Sequence, residues 1–329
     1  NNDGYSDVIV GAPNAYAGGR AYIYHGGSNM DNTADVTLFL EESGGFLGYT
    51  VSGAGDVNND GYADVIVGAY RNAGRAYIYH GGSNMDNTAD VTLSGEEWSN
   101  FGYSVSGAGD VNNDGYADVI VGAYYYSNPL GRAYIYFGGN QMDNTADVTL
   151  SGAERDRYFG YSVSGVGDVN NDGYADVIIR AYHNASAGRA YIYYGGSNMN
   201  NTADVILTGE GTSNQFGYSV SGADDVNNDG YDDVIIGAID YNSSTGRAYI
   251  YYGGYNMDNT ADLTLTGEGT SNQFGYSVSG AGDVNNDGYA EVIIGASGYP
   301  KNGKAYIYAF DSTSQKIEIT SAHVTCEFG

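Results

Sequence analysis

The chain has 329 residues but only one cysteine, three prolines, one tryptophan, four histidines and 12 lysines plus arginines. Each scarcity removes a class of explanation. With Cys326 alone no intrachain disulfide can form, so the fold is not a disulfide scaffold. His25, His80, His183 and His323 lie in different segments, and no zinc-ligand spacing is readable among them. Twelve bases against 40 acids leave a formal charge of −28, which argues against nucleic acid and against anionic membrane surfaces as partners. No apolar run approaches the roughly 18 residues of a membrane-spanning helix, so no membrane insertion is expected. No secretory leader is readable. No segment shows the 3.6-residue apolar periodicity of an amphipathic helix over ten residues.

What is abundant is glycine, at 52, and tyrosine, at 35. Both recur in register. The tripeptide Asn-Asp-Gly returns with its Asp at 3, 60, 114, 172, 229 and 287, at spacings of 57, 54, 58, 57 and 58. Such self-similarity marks a repeat architecture. Each unit holds four predicted strands, as in FGYSVSGAGDV (101–111), DVIVGA (118–123), GRAYIYFGG (131–139) and ADVTLSG (146–152). Period-two alternation and β-branched or aromatic enrichment make them strands, and the Gly and Asn/Asp clusters between them are turns. In the third strand Tyr134 and Tyr136 face one way and Ile135 the other.

Four short antiparallel strands repeated about six times predict an all-β β-propeller of four-stranded blades. A blade cannot bury both faces alone, so neighbours must stack. The expectation is one domain over 1–329, with six visible blades. The first unit begins at Asn1-Asn2-Asp3-Gly4 and lacks an inner strand, and 311–329 is a divergent closing segment whose Phe328-Gly329 aligns with Phe274-Gly275. Between those ends the other units carry nine residues, as in YSVSGAGDV (103–111). The reading at this point is a fragment of a longer chain, with a seventh blade upstream left open, or a strand supplied from elsewhere.

The turn between the first two strands carries the chemistry. In 56–64 oxygen-bearing side chains stand at positions 1, 3, 5 and 9 (Asp56, Asn58, Asp60, Asp64), Gly61 permits a sharp bend, and Tyr62 offers its carbonyl. Alternating oxygens around a tight loop suit a hard cation with six or more ligands at roughly 2.3–2.6 Å, and calcium suits an all-protein cage better than magnesium. The pattern recurs at Asp110, Asn112, Asp114, Tyr116, Asp118; at Asp168, Asn170, Asp172, Tyr174, Asp176; and at Asp225, Asn227, Asp229, Tyr231, Asp233. The last copy is Asp283, Asn285, Asp287, Tyr289, Glu291, and the first keeps Asn1, Asp3, Tyr5 and Asp7 without an Asp at position 1. The expectation is five full Ca2+ sites and one partial site. A lone NNDG would be only a hairpin turn. Three clustered carboxylates repel by about 1 kcal/mol per pair in water, and a bound dication reverses that sign. Five ions would take the charge from −28 to −18. Every ligand position is protein, so the role is structural rather than catalytic.

Phe-Gly-x-Ser-Val followed by D-x-N-x-D-G-x-x-D-V-I-V-G-A resembles the FG-GAP repeat, as in the β-propeller of integrin α subunits, over essentially the whole chain. The resemblance implies a propeller, calcium in the loops between strands one and two, and extracellular adhesion or ligand binding. It also implies seven blades in integrin-type members. The literal Gly-Ala-Pro occurs once, at Gly11–Pro13; elsewhere it is GAY, GAI or GAS, and Arg180 replaces the glycine in one unit.

Strand parity puts the calcium loops and the loops between strands three and four at one end of the blades, where sequence hardly varies. The loops from strand two to three and from four to the next blade lie at the other end, and they vary. That rim is the candidate binding surface, with Tyr70, Arg71, Trp98, Tyr124, Tyr125, Tyr126, Arg155, Arg157, His183 and Tyr241. Tyrosine with Asn and Ser is the composition of adaptable binding surfaces. The expected function is a non-enzymatic, extracellular or cell-surface adhesion, ligand-binding or assembly module for a protein or glycan. Two alternatives stand beside it: a structural subunit of a fibre or array, self-assembling by strand donation, and a polysaccharide-active or other hydrolase or lyase with its site on the rim. No convergent acid–base pair or Ser/His/Asp set is readable for the latter.

Overall fold

The computed structural model describes the chain apart from residues 17, 41–43, 72, 129, 154–155, 184–186, 212, 299–302, 311–316 and 320–329 and the side chains of 183 and 317–319. Most of the closing segment 311–329 and Arg155 therefore lie outside the described residues. Contacts group the chain into two compact units, Asn1–Val163 with Gly196–Asn201, and Ser164–Gly195 with Thr202–Gly329.

In the first unit, β1 (Val8–Ala12), β2 (Arg20–Tyr24) and β3 (Val36–Phe39) form a three-stranded sheet. A four-stranded sheet follows, of β4 (Thr50–Gly55), β5 (Asp64–Ala69), β6 (Arg75–Tyr79) and β7 (Val91–Ser94). The third holds β8 (Phe101–Gly109), β9 (Asp118–Ala123), β10 (Arg132–Tyr136) and β11 (Val148–Leu150), with the two-residue β12 (Asp156–Arg157) after it. In β13 (Val163–Gly167), β14 (Asp176–His183), β15 (Arg189–Tyr193) and β16 (Val205–Thr208), which follow, β13 and β15 both pair with β14. The second unit continues with β17 (Phe216–Asp224), β18 (Asp233–Ala238), β19 (Arg247–Tyr251) and β20 (Leu263–Thr266), then β21 (Phe274–Gly282), β22 (Glu291–Ala296), β23 (Lys304–Ala309) and β24 (Ile317–Ile319). The one helix among the described residues, α1 (Tyr241–Ser244), is a single turn in the loop after β18.

All of these sheets run as up-and-down meanders. The register is fixed by alternation: Tyr134 faces Val121, Ile135 faces Ile120 and Tyr136 faces Val119. One face of each sheet therefore carries Tyr with Val or Ile, and the other Ile/Ala/Leu. In the first unit Val119, Val121, Tyr134 and Tyr136 pack on Ile66, Ala76, Ile78 and Leu93 of the sheet before. In the second unit Ile235, Ala248 and Ile250 pack with Val292, Ile294, Tyr306 and Tyr308. The phenylalanine of the FG seals this contact: Phe101, Phe159, Phe216 and Phe274 are fully buried, and the Phe101 ring lies 5.6 Å from Tyr134 and 6.4 Å from Tyr136. Such pairs are worth about 0.5–1.5 kcal/mol beyond their burial.

The glycine that opens each GA pair is a close-approach residue. A Cβ on Gly122 would lie 2.0 Å from the Gly160 carbonyl oxygen, and one on Gly68 would lie 2.2 Å from that of Gly102. Arg180 stands at this position in β14. It is buried, a Cβ on Gly217 would come 2.9 Å from its Cγ, and its guanidinium reaches to 5.6 Å from the Tyr218 ring.

Candidate metal loops and aromatic face

The loop between β8 and β9 shows how the sequence builds a ring of oxygens. Asn113 and Gly115 adopt left-handed φ of 57° and 92°, which bends the backbone sharply. The bend points amides inward. Asp114 N–H donates to Asp110 Oδ1 (3.0 Å) and Asn112 Oδ1 (2.9 Å), Gly115 N–H to Asp110 Oδ2 (2.8 Å), and Tyr116 N–H to Asp114 Oδ1 (3.0 Å). The same bonds recur in 56–64, 168–176 and 225–233. Positions 1, 3 and 5 thus have their side-chain oxygens held by the loop's own amides, with Asp60 and Asp114 exposed and Asp56 and Asp110 partly buried.

Position 9 is different. Asp118 is fully buried; its Oδ2 accepts the Val111 N–H (2.8 Å) and its Oδ1 the Gly138 N–H (2.7 Å). Asp64, Asp176 and Asp233 repeat both bonds. The carboxylate ties the start of its own loop to the turn after the third strand. Burial pushes Asp118 up to about 7; the two amides oppose the rise and the neighbouring Asp114 and Asp110 add to it. Asp176 and Asp233 rise to about 7 for the same reasons, and Asp64 is raised in the same direction. This framework role escaped the reading of the residues, which treats position 9 as a ligand alone.

The loop 283–291 goes furthest toward a cation site. Asp283, Asp287 and Glu291 each bring a carboxylate oxygen within 4.8 Å of the others, the one such acidic trio among the described residues. The three oxygens are close enough together to share one cation, and an all-oxygen donor set suits a hard ion such as calcium. Glutamate's extra methylene matters here: Glu291 Oε2 takes the Val284 amide (2.7 Å) while Oε1 turns to Asn285 Nδ2 (2.6 Å). In 1–7 the set is smaller. Asp3 N–H donates to Asn1 Oδ1 (3.2 Å) and Tyr5 N–H to Asp3 Oδ1 (3.0 Å), while Asp7 takes Gly26 N–H (2.8 Å). Burial raises Asp7, but the Gly26 amide and the N-terminal ammonium outweigh it and leave it lowered.

Neighbouring loops are chained by backbone bonds. Ala117 N–H donates to Asp56 O (3.1 Å) and Ala290 N–H to Asp225 O (3.1 Å). Gly139 N–H and Gly254 N–H reach the carbonyls of Val57 and Val169, at 2.8 and 2.7 Å, so the turn after the third strand sits against the acidic loop of the sheet before. A second acid set, overlooked in the sequence, fixes that turn: Asp90, Asp147, Asp204 and Asp262 accept the N–H of His80, Phe137, Tyr194 and Tyr252 at 2.7–2.8 Å. The recurring Thr-Ala-Asp was its signal.

At the opposite end, Tyr125 N–H bonds Ser99 O (3.0 Å) and Asp240 N–H bonds Asn214 O (3.2 Å), joining the two kinds of variable loop as parity requires. In the first unit Tyr70 and Tyr124 join the FGY tyrosines in an edge-packed belt: Tyr49–Tyr70 4.5 Å, Tyr49–Tyr103 4.8 Å, Tyr103–Tyr124 4.5 Å and Tyr103–Tyr161 4.9 Å between centroids. Burial and hydrogen bonds with Tyr161 and Tyr49 push the Tyr103 phenol upward. Tyr125 stacks near-parallel on Tyr158, with centroids 6.5 Å apart. Tyr49, Tyr103, Tyr158 and Tyr161 were missed; the repeated Gly-Tyr after the Phe was the available signal for Tyr49, Tyr103 and Tyr161, and no repeat marks Tyr158. Arg71 lies over Phe46 (4.3 Å). Tyr126 lies under Arg132 (3.8 Å) and, in the second unit, Tyr241 lies under Arg247 (3.7 Å). Trp98 is 79% exposed in a left-handed backbone, and Arg157 is exposed. The His183 backbone closes β14, and its side chain is outside the described residues, as is Arg155.

Residues 1–67 and 56–121 match the FG-GAP-like repeat, and residues 159–193, 216–251 and 274–308 match the FG-GAP repeat. The chain is 31% identical to integrin alpha-5 of Xenopus laevis over 254 residues, 69% of this chain and 24% of that protein. It is 38% identical to integrin alpha-6 of Gallus gallus over 157 residues, 46% of this chain and 14% of that one. It thus spans a quarter or less of these relatives' length. Solved structures similar in fold include the Dos1 propeller (TM-score 0.54, 11% identity, 94% of this chain and 65% of that one). Another is AofleA from Arthrobotrys oligospora (TM-score 0.54, 11% identity, 98% and 88%). The all-β sheets, the repeats and these neighbours establish a β-propeller fold.

Proposed function

Because the chain belongs to the FG-GAP repeat family, we propose that it is a calcium-stabilised, extracellular, non-enzymatic propeller that binds a protein or glycan ligand through its tyrosine-rich loop end. The observation that carries the calcium reading is the convergence of Asp283, Asp287 and Glu291 to within 4.8 Å, in a loop whose pattern recurs four more times. Asp, Asn and Asp at positions 1, 3 and 5, the position-7 carbonyl and the carboxylate at position 9 would hold the ion, with position 9 also anchoring the loop through backbone amides. When bound, calcium supplies charge neutralisation and a fixed hub for loop oxygens. The chain's own residues do the rest: the acidic loops set the spacing of neighbouring sheets through their backbone chain, and the opposite end presents the tyrosines.

Each complete loop lacks the bidentate glutamate at position 12 of an EF-hand, which points to affinity in the range of about 10⁻⁴–10⁻³ M typical of extracellular modules. The integrin alpha relatives support adhesion or ligand binding as the role. The test is thermal unfolding in millimolar calcium and in chelator. A rise in Tm that saturates with calcium and is not reproduced by magnesium supports the reading; identical melts under all three conditions would refute it. A glycan array and a panel of extracellular-matrix proteins on the calcium-loaded chain then separate the two ligand classes.

A further inference from the structure

Trp98, the chain's one tryptophan, joins a disfavoured backbone to an exposed apolar ring. Its φ of 62° lies in the left-handed region, which bulky L side chains avoid. Sister turns put small residues at the same place, three before Leu47, Phe216 and Phe274: Gly44 at 90°, Ser213 at 69° and Ser271 at 63°. The indole is 79% exposed, so burial returns little for the strain. An outlier of this kind points toward function. The turn beneath the ring is pinned. Buried Ser99 donates its N–H and its hydroxyl to Glu96 O (3.2 and 2.7 Å), and Ser99 O accepts the Tyr125 N–H (3.0 Å). The turn is thereby fixed to the 124–126 loop, whose exposed Tyr125 stacks on Tyr158. Apart from Leu130, the other exposed groups here are polar: Glu96 and Glu97 in the same turn, Ser127 and Asn128 in the loop joined to it. Glu96 also lines an open groove of about 370 Å³ with Ser94, Tyr134 and Asn144.

We propose that Trp98 is a stacking platform for one ring of a neutral glycan, with the Glu97 carboxylate accepting hydrogen bonds from its hydroxyls. The surrounding residues decide between ligand classes. Glu and Ser are depleted in protein–protein interfaces. Carboxylates, hydroxyls and amides beside an aromatic face are instead what a sugar needs, since its C–H face packs on the ring while its hydroxyls donate and accept at the edge. Charge decides the kind of glycan: Glu96 and Glu97 flank the indole and the chain carries −28, so an anionic polysaccharide is repelled. This rests on the reading of the loop end as the ligand surface. It narrows the ligand to a glycan and makes Trp98, rather than the tyrosine belt, the anchor.

The lone tryptophan is its own reporter. The calcium-loaded chain is titrated with cello-, manno- and chito-oligosaccharides, and with oligogalacturonate as the anionic control, following tryptophan emission and calorimetric heat. At least one neutral series is expected to shift the emission saturably to shorter wavelength, and oligogalacturonate is not. Trp98→Ser places there the residue that Ser213 and Ser271 provide in sister turns, so it is expected to melt no lower than the parent. It is expected to bind the same sugar at least about tenfold more weakly by calorimetry. Emission unchanged by every neutral series at millimolar sugar would overturn the proposal, as would undiminished sugar binding by Trp98→Ser. Sugar binding that survives Trp98→Ser but is lost in Tyr103→Ala would overturn the role of Trp98 while the loop end stays a ligand surface. Binding of the matrix-protein panel by a chain that takes no sugar would overturn the glycan assignment alone.

Discussion

Replacing Asp118 separates the framework of an acidic loop from its cation chemistry. The side chain is fully buried and accepts two backbone amides, from Val111 and Gly138. Asp118→Ala strands both donors, Val111's in a buried site and Gly138's in a partly buried one. Each unsatisfied buried amide costs about 1–3 kcal/mol, so the pair costs about 2–6 kcal/mol. For a unit of this size about 1 kcal/mol moves Tm by roughly 2–4 °C, which places the loss on the order of 10 °C. Asp118→Asn keeps one acceptor oxygen and turns an NH2 toward the other amide, so about half that loss is expected. The informative condition is chelator, where no ion contributes. Asp110→Asn, at the partly buried position 1, is expected to change Tm by a few degrees at most in chelator and to lose much of its calcium response. Thermal melts of the three variants with and without calcium read this directly. If Asp118→Ala melts within 2 °C of the parent in chelator, the two amides are not held as described and the framework role is wrong.

The close-approach glycine gives a second expectation. Gly122→Ala, whose Cβ would meet the Gly160 carbonyl at 2.0 Å, should destabilise by about 1–3 kcal/mol, whereas Gly139→Ala, with nothing within 4 Å, should be neutral or slightly stabilising; urea titration of both decides it. The pH dependence in chelator follows from Asp118, Asp176 and Asp233, which burial raises from an ordinary 3.8 to about 7. An acid with a raised folded pKa binds more protons when folded. Its contribution is therefore fully present below about 3.8 and lost as pH rises through about 7, so Tm in chelator should fall between pH 5 and pH 8. Saturating calcium, which requires the ionised loops, should flatten or reverse that slope. At the opposite end, Tyr103→Ala, which removes the ring shared by Tyr49, Tyr124 and Tyr161, should weaken ligand capture more than Tyr241→Ala, whose ring lies under Arg247; surface plasmon resonance against a captured ligand compares them.

Much of the fold was readable because a sixfold repeat states its pattern several times. DVIVGA at 118–123 becomes β9 with the expected limits. Other limits moved for local reasons. The third strand was read as 131–139 but pairs only over Arg132–Tyr136, because Gly131 is left-handed and the Gly138 amide turns aside to Asp118. The first was read as 101–111 but ends at Gly109, which still pairs with Asp118 just past a register shift between Gly107 and Gly109. The acidic positions were legible as oxygen donors, since spacing alone reveals them. Their division of labour was not: whether an aspartate faces a focus or pins buried amides depends on the sheet it touches. The tyrosine belt was half legible for a similar reason. Loop tyrosines such as Tyr70 and Tyr124 stand out by variation, whereas Tyr103 and Tyr161 repeat in every unit and read as packing.

The number of calcium ions bound per chain tests the account most directly. Isothermal titration of the chelator-stripped chain should give five ions at sub-millimolar to millimolar affinity, and Asp110→Asn should remove one of them. A stoichiometry of one or none, with Asp110→Asn indistinguishable from the parent, would contradict it.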